Sequence, residues 1–266
     1  MDNLTRDILE KENYYNPLRY ISGRIIEYDI KAANVSILFE MGYFNEDQYR
    51  YYIDLPKMIR EREIGLLQRE NPKVYDILAD GLRKSRLTLG EANNLDSLQI
   101  IRIAKDAVYV NSSLDLQYTN FGKCISFKQK NIYNVYLKLL NTIVFVSFLN
   151  DSIDIDIKGL GNNYIYHQDY MLNTIGTVVF YIERGSIQDA LNYLSNIIDD
   201  YINRRLDIGY YRNFDPDSMY EINVSGSEYK LIEISDQYKE NINIQYNLFI
   251  LRELWSIVVE IYNRRK

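Results

Sequence analysis

Alternation of apolar and other residues marks the clearest extended segments. From Leu98 to Val110, the residues Leu98, Ile100, Arg102, Ala104, Asp106, Val108 and Val110 fall on alternate positions, so they share one face of an extended chain. A strand or hairpin is predicted there, with Asp106 inside it or at its turn. Tyr20 to Ile30 reads as another strand, with Gly23 as a bulge or turn, the apolar run Ile25, Ile26, Tyr28 and Ile30, and Asp29 at its end. Thr142 to Phe148 and Ile153 to Ile157 are two more, leading into Lys158-Gly159. Helical spacing follows the first of these strands: Ala33, Ile37 and Met41 share a face, and Gly42 supplies a C-terminal cap. A polar, helical lead-in over residues 1–18 ends at Pro17.

The charged stretch from Asn45 to Asn71 is predicted to be helical, with Pro56 near the start of a helix through Lys57, Arg60, Arg62 and Gly65. Asn71-Pro72 opens the next helix, lined by Val74, Leu78, Leu82 and Leu89 and ending near Asn93-Asn94. Ser186 to Asp189 fits a variant capping box ahead of Leu191, Leu194 and Ile198. Residues 206–240 read as loops and short strands, and Leu248, Leu251, Leu254, Val258 and Ile261 make an amphipathic terminal helix. Neither repeats nor low-complexity tracts interrupt this order.

With 266 residues, 47% of them hydrophobic, the chain can bury a sizeable core. Its net charge of −6 argues against general coating of nucleic acid and restricts any such contact to a local groove. No apolar run approaches the roughly 20 residues of a membrane helix, and the first residues lack the basic start and apolar run of a signal peptide, so a cytoplasmic protein without membrane partners is expected. Cys124 is the only cysteine and His167 the only histidine, which excludes an intrachain disulfide and a zinc cluster of those residues. A Cys-His nucleophile has no surrounding motif to support it.

Two acids remain as candidates for chemistry. Phosphoryl transfer from a nucleoside triphosphate uses divalent ions held by carboxylates on rigid, adjacent strands, and Asp29 and Asp106 suit that role if their strands pair. Each also has a simpler reading: Asp29 as a cap for the helix starting near Ala32, Asp106 as a turn residue.

Asp29-Ile30-Lys31-Ala32-Ala33-Asn34-Val35-Ser36-Ile37-Leu38 resembles the first motif of family B DNA polymerases, D-x-x-S-L-Y-P-S. Lys57, six residues, then Ile64-Gly65 is similar to that family's Lys-x6-Tyr-Gly, and Ala104-Lys105-Asp106-Ala107-Val108-Tyr109-Val110 to its D-T-D-S motif, keeping the second Asp. Lys158-Gly159 resembles its Lys-Gly element. The resemblance spans about residues 19–165 and keeps the family's order.

It implies an α+β fold with a palm-like antiparallel sheet backed by helices over 19–165, shortened fingers at about 45–72, and a mostly helical thumb-like region over 166–266. It also implies a template-directed nucleotidyltransferase using Mg2+ or Mn2+, in replication, repair or priming. Asp29 and Asp106 would ligate metal, Lys57, Asn34 and Gly65 would meet the nucleotide, and Lys158, Gly159 and Lys105 would touch primer or nucleic acid. The partners implied are a DNA or RNA primer-template, nucleoside triphosphates and a protein of a replication or transcription assembly. Abundant Tyr, Ile and Asn fit the AT-rich coding of a bacterium or phage, and a phage protein would work in the host cytoplasm.

Departures from the motifs leave a second reading open. Ala104 replaces one motif acid, and Lys105 places a cation beside Asp106, so a palm without turnover, serving as a nucleic-acid- or protein-binding subunit, is the alternative. An interaction protein of other ancestry is a third. Asn34 stands where the family keeps a Tyr that excludes ribonucleotides, which implies tolerance of them. Arg83, Lys84 and Arg86 read as a solvated helix face, whereas Arg204, Arg205, Arg264, Arg265 and Lys266 are candidate phosphate contacts. Tyr49, Tyr51 and Tyr52 are candidates for base stacking or for the rim of the core.

Overall fold

Two compact units make up the chain, one of residues 1–17 and 23–133, the other of residues 18–22 and 134–266. The computed structural model describes residues 1–139, 142–149, 152–158, 168–206, 220–224, 227–231 and 236–265. In chain order the elements are α1 (Asn3–Glu10), β1 (Asn13–Tyr15), β2 (Tyr20–Ile30), α2 (Ala33–Glu40), α3 (Glu46–Asp54), α4 (Lys57–Glu70), α5 (Lys73–Ala92), β3 (Ile100–Ala104), β4 (Ala107–Asn111), β5 (Asn120–Phe121), β6 (Ile125–Leu139), β7 (Thr142–Leu149), β8 (Ser152–Lys158), α6 (Gln168–Glu183), α7 (Ile187–Ile202), β9 (Tyr220–Val224), β10 (Ser227–Leu231) and α8 (Asp236–Arg265). The fold is α+β, with antiparallel strands and a helical C-terminal segment, as expected.

In the first unit the strand order is β1-β3-β4-β2-β6. Alternation along these strands sends Ile26, Tyr28, Ile30, Ile103, Val108 and Val110 into a core with α1, α2 and α5. Glu27, Asp29 and Tyr109 consequently take the opposite face of the sheet. α5 supplies Val74, Leu78 and Leu89 to the core, and its glycines set how closely its neighbours approach. A Cβ at Gly81 would lie 2.3 Å from Ile37 Cγ2, and one at Gly90 2.3 Å from Leu9 Cδ1.

Arg86 does not join a solvated face. It is 2% exposed on α5; its Nε donates to Leu9 O at 2.9 Å and its Nη1 to Lys105 O at 2.5 Å. The first acceptor is an end carbonyl of α1 in a buried contact, the second a carbonyl of the β3–β4 turn in a half-buried one. Burial pulls the guanidinium down to about 10, which leaves it charged at neutral pH. Arg83 and Lys84 do face solvent, paired with Asp80.

In the second unit, β6, β7 and β8 are adjacent and pack Val135, Leu137, Val144 and Val146 against α6, α7 and α8. Arg19, from the short 18–22 segment, donates to Glu260 at 2.7 Å, to Ser256 at 3.0 Å and to Glu253 at 3.4 Å on α8. β9 and β10 form a hairpin.

Several local expectations change. The lead-in contains β1, paired with β3, after α1. Ser186 precedes α7 without a side-chain cap bond, so the capping box is absent. α8 begins at Asp236, inside the stretch read as loops and short strands. The two compact units divide within β6. Among the described residues no helix is long and apolar enough to cross a membrane.

Replacing Arg86 by Met removes the side-chain donor from a buried carbonyl at Leu9 and a half-buried one at Lys105. Arg86→Met is expected to lose about 2–4 kcal/mol of stability in urea denaturation, and Arg86→Lys to recover less than half, since a single ammonium cannot span both acceptors.

Candidate active site

The site begins where β2 ends. Ala32, at φ +49°, turns the chain out of the strand into α2, and Ser36 Oγ donates to Lys31 O at 2.9 Å across this corner. Asp29 therefore ends a strand directly before a helix, and Ala32 rather than Asp29 occupies the N-cap. On the neighbouring hairpin, Ala104 pairs with Ala107 and leaves Lys105-Asp106 as the turn. Lys105 takes φ +53°, a left-handed conformation costing a non-glycine residue about 1–2 kcal/mol. Three contacts offset it: Lys105 N donates to Glu12 O at 2.9 Å, Arg86 binds Lys105 O, and Ile30 N donates to Asp106 O at 3.3 Å.

Antiparallel pairing of β2 with β4 sets Asp29 opposite Ala107, next to Asp106. The Asp29 and Asp106 carboxyl groups come within hydrogen-bond reach of one another. With both ionised this contact joins acceptor to acceptor and is repulsive, and Asp29 Oδ1 is buried without a donor. Burial, then the Asp29 charge, raises the Asp106 carboxyl to about 6.

The other oxygen of Asp29 has a partner. Lys130 Nζ, from β6, lies 3.2 Å from Asp29 Oδ2 and 3.7 Å from Glu27 Oε1. Burial alone would lower this ammonium, but its hydrogen bond to Asp29 and the charges of Asp29, Glu27 and Asp106 outweigh that and raise its pKa. Glu27 is buried and hydrogen-bonded at both oxygens: Tyr109 Oη donates to Oε1 at 2.9 Å, while Asn131 Nδ2 and Tyr133 Oη donate to Oε2 at 2.7 and 3.1 Å. Glu27 thus anchors Lys130, and both of its oxygens are already hydrogen-bonded.

A cleft of about 410 Å3 opens over the acid pair, within the roughly 300–1,000 Å3 usual for small-ligand sites. Its walls carry Lys31, Lys57, Arg60, Lys128 and Lys130 against Asp29, Asp106 and Glu61. Two acids on a floor ringed by cations suit a polyanion that arrives with a divalent ion.

Of the residues singled out in the sequence, Asp29, Asp106, Asn34 and Lys57 meet in this cleft. Buried Ile64 lines it where Gly65 does not. The Lys105 side chain is exposed at the turn and absent from the cleft wall. Lys158 ends β8 in the second unit, with its Nζ 2.7 Å from Asp156, and Gly159 lies outside the described residues, as does His167. Tyr49 stacks on Phe39 at 4.5 Å and Tyr52 on Phe44 at 4.8 Å, so both belong to the edge of the core. Arg205 pairs with Asp199 and Asp200, and Arg264 with Glu260. Lys128, Lys130 and Glu27 escaped the sequence reading, and Arg60 was read only as part of a helix. The alternate spacing of Lys128 and Lys130, which puts both on one face of β6, was the available signal.

Among the described residues no group of three or more His, Cys, Asp or Glu could hold a metal ion. The orphaned Asp29 oxygen beside a second carboxyl nevertheless fits Mg2+ or Mn2+, hard cations that take one or two carboxylates and fill their other positions with water and substrate phosphate.

Raised to about 6 from an ordinary 3.8, Asp106 holds its proton more tightly in the folded chain than in the unfolded one. The resulting stability is full below about pH 4 and is lost as pH climbs through 6. Asp106→Asn is therefore expected to stabilise the metal-free protein at about pH 8, by about 1–2 kcal/mol because solvent screens a half-buried carboxyl. The gain should fade between pH 6 and pH 4. Urea titrations across this range check it; a destabilised variant at the high end would show that the two carboxyls do not repel.

Comparison with curated proteins gives no match. Residues 4–260, nearly the whole chain, match the family described as "Bacteriophage PBS1 gene 130 protein". This is therefore a member of the bacteriophage PBS1 gene 130 protein family.

Proposed function

We propose that this phage-family protein is a metal-dependent, template-directed nucleotidyltransferase, a minimal DNA-polymerase-like palm acting in replication, repair or priming in the host cytoplasm. The observation that carries the proposal is the contact between the Asp29 and Asp106 carboxyls on the floor of a cation-lined cleft. A strand end and an adjacent hairpin turn bring them there, in the order of the motifs that resemble family B DNA polymerases.

Mg2+ or Mn2+ bound by Asp29 and Asp106 would lower the pKa of an attacking primer hydroxyl and neutralise charge on the phosphates. The protein's own residues do the rest. Lys130 releases Asp29 and stays close through Glu27, where its charge is available to phosphate. Lys57 and Arg60 meet the triphosphate from α4, and Asn34 lies on the α2 side of the cleft, where its small side chain leaves room for a ribose hydroxyl. Nucleoside triphosphates and a DNA or RNA primer-template are the substrates in this reading, with a protein of a replication or transcription assembly as a further partner.

A catalytically inactive, nucleic-acid- or protein-binding subunit is the second reading. Two observations favour it: Ala104 stands where the resembled motif has an acid, and Lys130 already neutralises Asp29.

Primer extension in Mg2+ and in Mn2+ separates the two. Extension by the parent, reduced about 1,000-fold or more in Asp29→Ala and Asp106→Ala, is expected for the enzyme. Lys57→Ala should raise KM for the nucleotide about tenfold with kcat little changed. Activity equal in parent and both Asp variants would identify a contaminant; an inactive parent that still binds primer-template would establish the subunit role. A strong preference for deoxynucleotides would count against the role given to Asn34.

A further inference from the structure

Arg102 lies on β3, on the sheet face that also carries Tyr109, Glu27 and Asp29, and is 7% exposed. Its guanidinium carbon is 5.4 Å from the centre of the Tyr15 ring on β1 and 5.4 Å from that of Tyr109 on β4, the residues opposite it in the two strand pairs. Ring faces attract the charge, but they do not accept the in-plane N–H groups as a carboxylate or phosphate does. Nε and Nη1 are buried and meet no hydrogen-bond acceptor. Arg86, buried in the helical layer, shows the contrast, since its Nε and Nη1 each find a carbonyl. A buried cation whose donors go unanswered destabilises the fold, so the missing acceptor is one that arrives from outside the chain.

Strand register identifies the anion. Among the described residues four buried side-chain atoms lack a partner, and three of them, Asp29 Oδ1 with Arg102 Nε and Nη1, lie on this one sheet face. The first lacks a cation or donor, the other two an acceptor. Between them stand Ala104 and Ala107, paired with each other, with Ala107 opposite Asp29, and their methyl groups raise no barrier along the sheet. Strand spacing and rise place the Arg102 backbone about 12 Å from that of Asp29, a span of a few nucleotides at about 3.4 Å of helix axis each. Arg102 does not line the cleft that receives the triphosphate. A strand whose end meets a metal at Asp29 and Asp106 therefore carries a backbone phosphate to Arg102. We propose that Arg102 binds a phosphodiester of the primer strand upstream of its reacting end, through the donors that the chain leaves unanswered. Tyr15, 40% exposed on the three-residue strand at the end of the sheet, is the side of the aromatic frame that yields to admit the phosphate. The identity of the strand rests on the nucleotidyltransferase reading.

Equilibrium binding of labelled DNA and RNA primer-templates, which needs no turnover, tests this. Arg102→Met keeps an unbranched stem between the two rings and removes the charge. Its Kd should rise about tenfold for primer-templates of unrelated sequence, and the slope of log K against log salt should become shallower by about 0.9. Its stability in urea should equal or exceed the parent's, because the unanswered cation is gone. Arg102→Lys should restore the salt slope but only part of the affinity. Binding of a nucleoside triphosphate alone, in Mg2+, should be unchanged in Arg102→Met and weakened in Lys57→Ala. Parent-like primer-template binding by a folded Arg102→Met would overturn the inference alone, and would assign the two nitrogens to ordered water. So would a fall in triphosphate affinity with primer-template affinity untouched, or a loss of stability in Arg102→Met, the mark of a purely structural cation. A parent that binds neither primer-template would overturn the inference together with the nucleotidyltransferase reading.

Discussion

The Arg86 guanidinium, spanning the end of α1 and the turn of the β3–β4 hairpin, is the interaction on which the site depends. A hairpin turn with a non-glycine residue at positive φ has little intrinsic reason to hold one geometry. Tied to α5 through Arg86 and to the chain before β1 through Glu12 O, it cannot drift, and Asp106 is kept against the end of β2. Gly81 and Gly90 serve the same end, because α5 reaches this position only by packing tightly on α2 and α1. A charge buried in the helical layer thus controls the spacing of two acids on the other side of the sheet.

Those acids form an arrangement that opposes stability. Two carboxyls in contact, one with an oxygen that receives no hydrogen bond, raise the energy of the folded state at neutral pH. Lys130 relieves part of this, and Glu27, held at both oxygens by two tyrosines and an asparagine, keeps the ammonium close. Local cost held in place by surrounding structure is common where a fold is arranged for binding.

How much of this was legible follows from how local each signal is. β2, β4, α2 and α5 announce themselves through period and caps, and both acids were identifiable at the end of one strand and in the turn of a hairpin. Their contact depends on β2 pairing with β4, a relation between residues far apart in the chain that no local pattern records. β6 was hidden because Lys128-Gln129-Lys130-Asn131 interrupts its apolar alternation, and with it went the cations of the cleft. Arg86 looked like one of three neighbouring cations on a helix. The approach of α1, permitted by Gly90, and of the β3–β4 turn removes it from water.

Because β2 begins in one compact unit and ends in the other, and β6 does the same in reverse, neither unit is a continuous piece of chain. During synthesis the first unit can close once Tyr133 has left the ribosome, but Arg19 must wait for a carboxylate made 241 residues later. The acid pair can therefore assemble while the second unit is still incomplete; of the early residues 18–22, Tyr20 and Ser22 find Glu183 on α6, and the Arg19 side chain waits for α8. In a nascent chain of this design a contact over so long a separation forms late, because everything between Arg19 and α8 must be made and ordered before the two can meet.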